Sequence, residues 1–271
     1  MNDTTSSCRN VNQVPFKKLV LIMILFNLSF TMEAQFSDCS TGLLQAPSGE
    51  MQKDGTLMIT NVWLNSNSLP EYPWGYGTFA YGFNLTFFSR LELAYVCTII
   101  DGRRRQPEIP YWFNQDRHFA ARFQLIKGGD WGLKWLPSIV FGISDPATGE
   151  GDGQYIGSDV SSGNGYFNRM YLAMSKVLTI GDERIGFHMG YQYNLRKDYH
   201  YDGVSCGVNL LHIFPERNKM IDKVNLIVEY DARTVNCGAV ISILKSRFDI
   251  MLELQKFRWF NGGLRYKVCL N

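Results

Sequence analysis

Alternation of apolar and polar residues is the dominant pattern of this chain after residue 56. In the segment TFAYGFNLTFF, Thr78 to Phe88, aromatic or leucine side chains take every second position and small or polar residues lie between them. Successive side chains of a β-strand point to opposite faces, so each such run predicts a strand with one apolar and one polar face. About twelve runs recur along the chain, beginning near Leu57, Thr78, Leu91, Phe119, Leu133, Tyr166, Ile185, Gly203, Val224, Thr234, Phe248 and Phe260.

Two architectures contain many alternating antiparallel strands. A soluble sandwich buries the apolar face, whereas an outer-membrane barrel turns that face to lipid and its polar face to the lumen. Here the polar face carries mainly small residues with few charges, and many aromatic residues lie near the predicted strand ends, as in membrane girdles. Long connections alternate with short turns over the first half of the chain. We therefore predict an all-β fold, a transmembrane antiparallel β-barrel of about 12 strands of the outer-membrane type.

The N-terminal residues indicate export. Lys17 and Lys18 precede an apolar run to Phe30 that is too short for a membrane-spanning helix, which needs roughly 20 residues. The sequence TMEAQF then offers a cleavage site after Ala34. We expect a signal peptide at 1–34, a periplasmic segment at 35–56 that leads into the barrel, and the barrel itself at 57–271, located in the cell outer membrane.

Composition gives little sign of other chemistry. The net charge of +2 does not favour a nucleic acid partner. The five cysteines after residue 34 show no CxxC and no Cys/His cluster, so neither a disulfide framework nor a zinc site is expected. We expect no cofactor and no metal, and we interpret the cysteines as small apolar side chains.

A set of short motifs resembles a known family. In the segment TGLLQAPSGEMQKDGT, residues 41–56, the pattern of Gly42-Leu43-Leu44, Pro47, Met51 and Asp54-Gly55-Thr56 resembles the N-terminal signature of the YjbH-like proteins. The Ala34-Gln35-Phe36 junction is similar to signal-peptide sites common in Bacteroidetes. The resemblance implies an outer-membrane barrel associated with exopolysaccharide or capsule production, with polysaccharide and its export proteins as partners. Its signature residues would be structural: Gly42, Leu43, Pro47, Met51, Asp54 and Gly55.

The C-terminal strand carries a second resemblance. Asn261, Gly263, Tyr266 and Val268 are similar to the pattern by which the barrel-assembly machinery recognises last strands, although the chain ends in Leu270-Asn271 rather than in Phe. The resemblance implies that this machinery is a partner, and the barrel prediction adds outer-membrane lipid.

Charged residues on the polar faces are the main candidates for a site. A charge on the lipid face near mid-membrane costs roughly 2–4 kcal/mol, so these residues are expected to point inward. We leave open whether they brace the lumen as ion pairs or line a polar conduit or a glycan site. Glu253 and Arg265 are expected to face each other across the last hairpin. The predicted lumen network contains Glu92, Arg122, Glu229, Asp231, Glu253 and Arg265.

Two further candidates lie outside this network. An external loop combines Arg103, Arg104 and Arg105 with Tyr111 and Trp112, a set that suits either acidic glycans or lipid headgroups.

A Ser/His pair of Ser138 and His118 is the remaining chemical candidate, and the chain has no GxSxG turn to support it. We therefore expect a non-catalytic outer-membrane barrel that supports exopolysaccharide or capsule assembly, secretion or surface retention. The alternative is a small porin-like channel, and a lipid- or glycan-modifying enzyme comes third.

Overall fold

The computed structural model describes residues 38–69, 77–101, 112–150, 153–156, 168–194, 202–214 and 220–270. Nearly all regular structure in these ranges is β-strand. The strands are β1 (Thr56–Leu64), β2 (Thr78–Phe87), β3 (Leu91–Asp101), β4 (Trp112–Ile126), β5 (Ser138–Ser144), β6 (Ala147–Glu150), β7 (Gly153–Ile156), β8 (Arg169–Ile180), β9 (Glu183–Tyr193), β10 (Gly203–Ile213), β11 (Ile221–Tyr230), β12 (Val235–Ile243), β13 (Phe248–Gln255) and β14 (Trp259–Cys269).

Twelve of these described strands close into an antiparallel barrel, as the sequence predicted. Each strand pairs with its neighbour in the chain, except that β5 pairs with β8 around the separate β6–β7 hairpin. The barrel closes between β1 and β14, where Thr56 is opposite Cys269 and Trp63 is opposite Gly262. No described helix is long and apolar enough to cross a membrane.

The alternation along each strand sorts side chains between the outside and the inside of the barrel. On β9, Phe187, Met189 and Tyr191 are exposed, whereas His188 and Gln192 between them are buried. The same division holds around the barrel, so the outer surface is a continuous apolar belt and the polar positions face the lumen.

Two strand starts lie more than three residues from the predicted positions, each for a local reason. β4 begins at Trp112, upstream of the predicted start at Phe119, because a register shift opposite Thr98 and Ile99 interrupts the alternation there. β5 begins at Ser138 rather than near Leu133, because a short 3-10 turn, Asp130–Gly132, with several left-handed residues reverses the chain.

This turn contains an acidic side chain whose ionisation stabilises it. Asp130 accepts a hydrogen bond from the Lys127 amide at 2.9 Å and pairs with Arg90 at 3.0 Å. Both interactions favour the carboxylate, the amide bond most, so the pKa of Asp130 lies below its usual value.

We therefore predict a pH-dependent contribution from Asp130 to the free energy of unfolding. A carboxyl group whose folded pKa is depressed stabilises the fold above its unfolded pKa, and this stabilisation is lost as the pH falls through the folded pKa. Unfolding of the wild type and of Asp130→Asn, compared across acidic pH, checks this. The stability gap should be full near neutral pH and close in acid; a constant gap would contradict the assignment.

Candidate functional site

The lumen is occupied by the chain's own N-terminal segment. Residues 38–52, called the plug below, lie inside the barrel, and every one of them except Glu50 is buried. The plug folds back on itself through a turn in which the Leu43 amide donates to the Ala46 carbonyl at 3.0 Å, and through a bridge between Gly42 and Pro47. Proline and glycine favour such a reversal. The segment that the sequence placed before the barrel therefore lies deep within it.

A carboxylate from the wall holds the tip of the plug. Glu229 on β11 accepts hydrogen bonds from the amides of Leu44, Gln45 and Ala46 at 2.9, 2.7 and 3.2 Å. Both of its oxygens are used, and the side chain is 2% exposed. Hydrogen bonds to a charged acceptor are stronger than neutral ones, so this contact anchors the turn.

Two wall arginines hold the carbonyl groups of the plug. Arg122 on β4 donates to the carbonyls of Ser48 and Glu50 at 2.6 and 3.0 Å, and forms a buried ion pair with Glu92 on β3. Arg169 on β8 donates to the Gln45 carbonyl at 3.2 Å. The same arginine pairs with Asp38 of the plug at 2.9 Å.

Apolar contacts complete the fit between plug and wall. Leu43, Leu44 and Ala46 form one buried cluster with inward side chains of β1, β11, β12 and β13. The wall leaves room for these leucines at two glycines: a Cβ atom on Gly207 would come within 2.4 Å of Leu43 Cδ1, and one on Gly238 within 2.9 Å of Leu44 Cδ1. Glycine inside a strand marks such a close approach, so wall and plug are complementary in shape.

Two smaller clusters hold the other parts of the plug. Cys39 packs with Ala80, Ala94, Val96 and Ala120 on β2, β3 and β4. Met51 packs with Val140, Tyr171 and Ala173 on β5 and β8.

The remaining members of the predicted lumen network have different partners. Asp231 accepts the amides of Arg233 and Thr234 at 2.9 and 2.8 Å and so closes the turn between β11 and β12. Glu253 accepts the side-chain amides of Gln45 at 2.9 Å and Asn261 at 2.8 Å.

The prediction that Glu253 and Arg265 face each other is wrong. The hairpin turn between β13 and β14 fixes a register in which Glu253 is opposite Asn261 and Arg265 is opposite Asp249. The distance from Arg265 Nη1 to Asp249 Oδ2 is 4.0 Å, and Lys267 Nζ approaches the same oxygen at 2.8 Å.

The structure does not bring Ser138 and His118 together. His118 is on β4 and Ser138 is on the neighbouring strand β5. The register pairs Ala120 with Ser144, so His118 lies near one end of the paired strands and Ser138 lies at the other end. Ser138 Oγ accepts the Gly128 amide at 2.9 Å instead.

Sequence reasoning missed a chain of hydrogen bonds across β8, β9 and β10. His188 Nδ1 lies 2.7 Å from Ser175 Oγ, and its Nε2 lies 2.8 Å from Asn209 Oδ1. Ser175 Oγ also accepts the Gly49 amide of the plug at 2.7 Å. Ser175 thus contacts the plug directly, and His188 and Asn209 extend the chain of hydrogen bonds along the wall. Only their inward strand positions could have identified them in the sequence.

The remaining candidates lie partly beyond the described residues. Arg103, Arg104, Arg105 and Tyr111 of the predicted external loop are outside them. Trp112 is the first residue of β4, where it pairs with Asp101.

The signature residues all contribute to local geometry. Gly42 and Pro47 form the bridge of the plug, and Leu43 and Met51 fill apolar clusters. Asp54 accepts the Phe88 amide and donates its own amide to Ser89 Oγ, while Gly55 takes a positive φ of 68° at the start of β1.

A closed barrel with an apolar exterior and a charged, polar interior is the architecture of outer-membrane β-barrel proteins. The apolar belt requires a lipid surround, because a soluble protein does not expose a patch of this extent.

No family model matches the chain, and no curated protein matches it. Among solved structures it is similar to the KdgM porin in complex with disordered oligogalacturonate, at 10% identity and a TM-score of 0.45, over 78% of this chain and 98% of that one. The KdgM porin alone gives 10% identity and a TM-score of 0.43 over the same shares. A COG4313 outer membrane channel from Pseudomonas putida F1 gives 10% and 0.40, over 87% of this chain and 99% of that one.

These comparisons correct the assignment to the YjbH-like proteins. The neighbours are a porin and an outer-membrane channel, and no YjbH-like family model matches. Both the family assignment and the exopolysaccharide or capsule role derived from it are wrong. The signature match has a physical explanation, because its residues are those that the plug turn and the turn into β1 require.

The belt leads to a prediction about Leu226. This outward side chain lies midway along β11 and is 52% exposed. Leu226→Arg should destabilise the barrel by about 2–4 kcal/mol, because arginine is costly near the bilayer midplane. Ile180→Arg is the matched control, since Ile180 ends β8 and the same change near the interface costs about 0–1 kcal/mol. Reversible unfolding from lipid vesicles measures both, and equal effects would contradict the placement of the belt.

Proposed function

We propose that this protein is a porin-like outer-membrane channel, without catalytic activity, whose lumen is closed by the plug. The observation that carries the proposal is the width of the lumen. A barrel of about eight strands is filled by its own side chains, and wider barrels enclose ligands or water. Here the lumen holds two stretches of chain side by side, joined by the Gly42–Pro47 bridge.

The dimensions and lining of the lumen suit small polar solutes. Neighbouring extended chains lie about 4.8 Å apart, so a lumen that holds two of them is about 10 Å wide in that direction once the plug has left. Its wall presents carboxylates, guanidinium groups and amides beside the apolar patches that hold the plug.

Conductance in planar lipid bilayers tests this proposal. The wild-type protein should be closed for most of the recording, and a variant lacking residues 38–52 should conduct ions steadily. A gel shift between unheated and boiled protein first establishes that the variant has folded. A folded variant without conductance would overturn the proposal.

Export and assembly belong to the same proposal. Residues 1–34 would direct the chain out of the cytoplasm and be removed after Ala34, and the last strand would be recognised by the barrel-assembly machinery. Mass spectrometry of the N-terminal peptide of protein taken from outer membranes tests the cleavage. A mature chain that still contains residues 17–34 would contradict it.

A further inference from the structure

Most of the hydrogen bonds from wall side chains to the plug go to its main chain, and side-chain contacts such as Arg169 with Asp38 and Glu253 with Gln45 add to them. Eight hydrogen bonds among the described residues join wall side chains to amide or carbonyl groups of the plug. Five wall residues make them: Glu229, Ser175, Arg122, Gln124 and Arg169. Acceptors and donors are both present, so the wall can bind both polar groups of a peptide unit. Contacts of this kind do not depend on the sequence of the bound segment.

Glu229 distinguishes a peptide from other polar solutes. Its carboxylate accepts three successive amides, from Leu44 to Ala46, that converge on it from one turn. A sugar offers hydroxyl groups to carboxylates and arginines, but it has no row of N–H donors held at this spacing by a turn. The geometry at Glu229 therefore selects a peptide turn over a saccharide.

Apolar recesses add a preference for particular side chains. Leu43 and Leu44 lie against Gly207 and Gly238, where the wall has no side chain, and both are at most 2% exposed. Removing the apolar surface of a leucine side chain from water is favourable, so two adjacent apolar side chains strengthen binding of the turn. A peptide with two neighbouring apolar residues at a turn fits these recesses.

We propose that the lumen is a binding site for short peptides that carry two adjacent apolar residues at a turn, and that the plug occupies this site as an internal ligand. This inference rests on the proposed channel function, for which it names the class of solute. Peptides would enter when the plug leaves and would bind through the same main-chain contacts.

Block of the open channel tests the inference. The variant lacking residues 38–52 is placed in planar bilayers, and a synthetic peptide with the sequence of residues 38–52 is added. A second peptide has an unrelated sequence that keeps two adjacent leucines at a turn. A third repeats the first with N-methyl groups on the amides of Leu44, Gln45 and Ala46, which removes the donors to Glu229 without changing a side chain. An uncharged oligosaccharide of similar size is the fourth addition.

We expect the first two peptides to block the conductance and the saccharide not to block it. N-methylation should weaken the block about tenfold or more, since one lost hydrogen bond to a charged group corresponds to about that factor. Steady conductance that no peptide blocks would overturn the peptide inference and leave the channel standing. So would equal block by the N-methylated peptide, or block by the saccharide alone. A folded barrel without conductance would overturn the channel itself.

A second form of the protein covers the case in which the deleted variant does not fold. A protease site is placed in the exposed turn at Lys53 and Asp54, so that the barrel folds with its plug and is cut afterwards. The cut plug should then leave the lumen and be replaced by an added, labelled peptide, either the one with the sequence of residues 38–52 or the unrelated leucine peptide. Exchange with neither peptide after complete cutting would overturn the inference.

Discussion

Replacing Glu229 with alanine is expected to free the tip of the plug. Three amides lose their shared acceptor, and hydrogen bonds to charged groups contribute about 1.5–3 kcal/mol each. The free energy that holds the plug in the lumen should therefore fall by several kcal/mol, although the released amides regain part of it by binding water. Hydrogen–deuterium exchange of the peptide that contains residues 43–46 measures the change, and exchange there should become much faster.

The matched control for this prediction is Glu183→Ala. Glu183 is a half-exposed carboxylate at the start of β9, and its partner is His212 at 2.5 Å rather than the plug. Its removal should leave the rate of hydrogen–deuterium exchange in the plug unchanged. If Glu229→Ala also leaves the plug protected, Glu229 does not anchor it.

Removal of Arg122 should give the second large effect. Arg122 and Glu92 form an ion pair in which both side chains are 1% exposed, and Arg122 also donates to two plug carbonyls. Breaking a buried pair from one side costs about 3–5 kcal/mol, because the other charge stays buried and unpaired. Arg122→Met should therefore lower the free energy of unfolding by about this amount, as measured by reversible denaturant unfolding in vesicles.

Two further variants separate the ion pair from a general loss of packing. The double variant Glu92→Leu and Arg122→Met removes both charges and should be more stable than Arg122→Met alone. Arg90→Met removes an exposed pair with Asp130, which is worth about 0–1 kcal/mol. A double variant less stable than the single one would contradict the view that the unpaired Glu92 charge dominates the cost.

Strand alternation predicted the strands, and the small residues of the polar faces, the aromatic residues near strand ends and the alternating connection lengths then favoured a barrel over a sandwich. Residues such as Phe187 and Met189 repeat at every second position over whole strands, and a closed barrel needs the same alternation on every strand. The prediction failed where the backbone leaves the regular ladder, at the register shift opposite Thr98 and at the left-handed residues around Trp131. Such irregularities depend on pairing with another strand, which a single segment does not encode.

The plug could not be predicted from periodicity, because its contacts join residues far apart in the chain. Gln45 and Glu229, for example, meet only after the barrel has closed. One signal was available: Gly207 and Gly238 occupy inward positions in the interior of strands, and such glycines indicate that something approaches the backbone closely. Identifying the approaching segment required the structure.

The position of the plug is the central claim, and cross-linking of Cys39 tests it most directly. Cys39 packs with Ala80, Ala94 and Ala120. Cysteine is introduced at each of these positions in turn, and at Ala173, which packs with Met51 in a different cluster. Disulfides form only between residues whose Cα atoms lie within about 7 Å. After mild oxidation, mass spectrometry of the peptides should show a link from Cys39 to at least one of the first three positions and none to Ala173. If Cys39 forms no link to any of these three positions, or links to position 173 to the same extent as to them, the plug is not held at this place in the lumen.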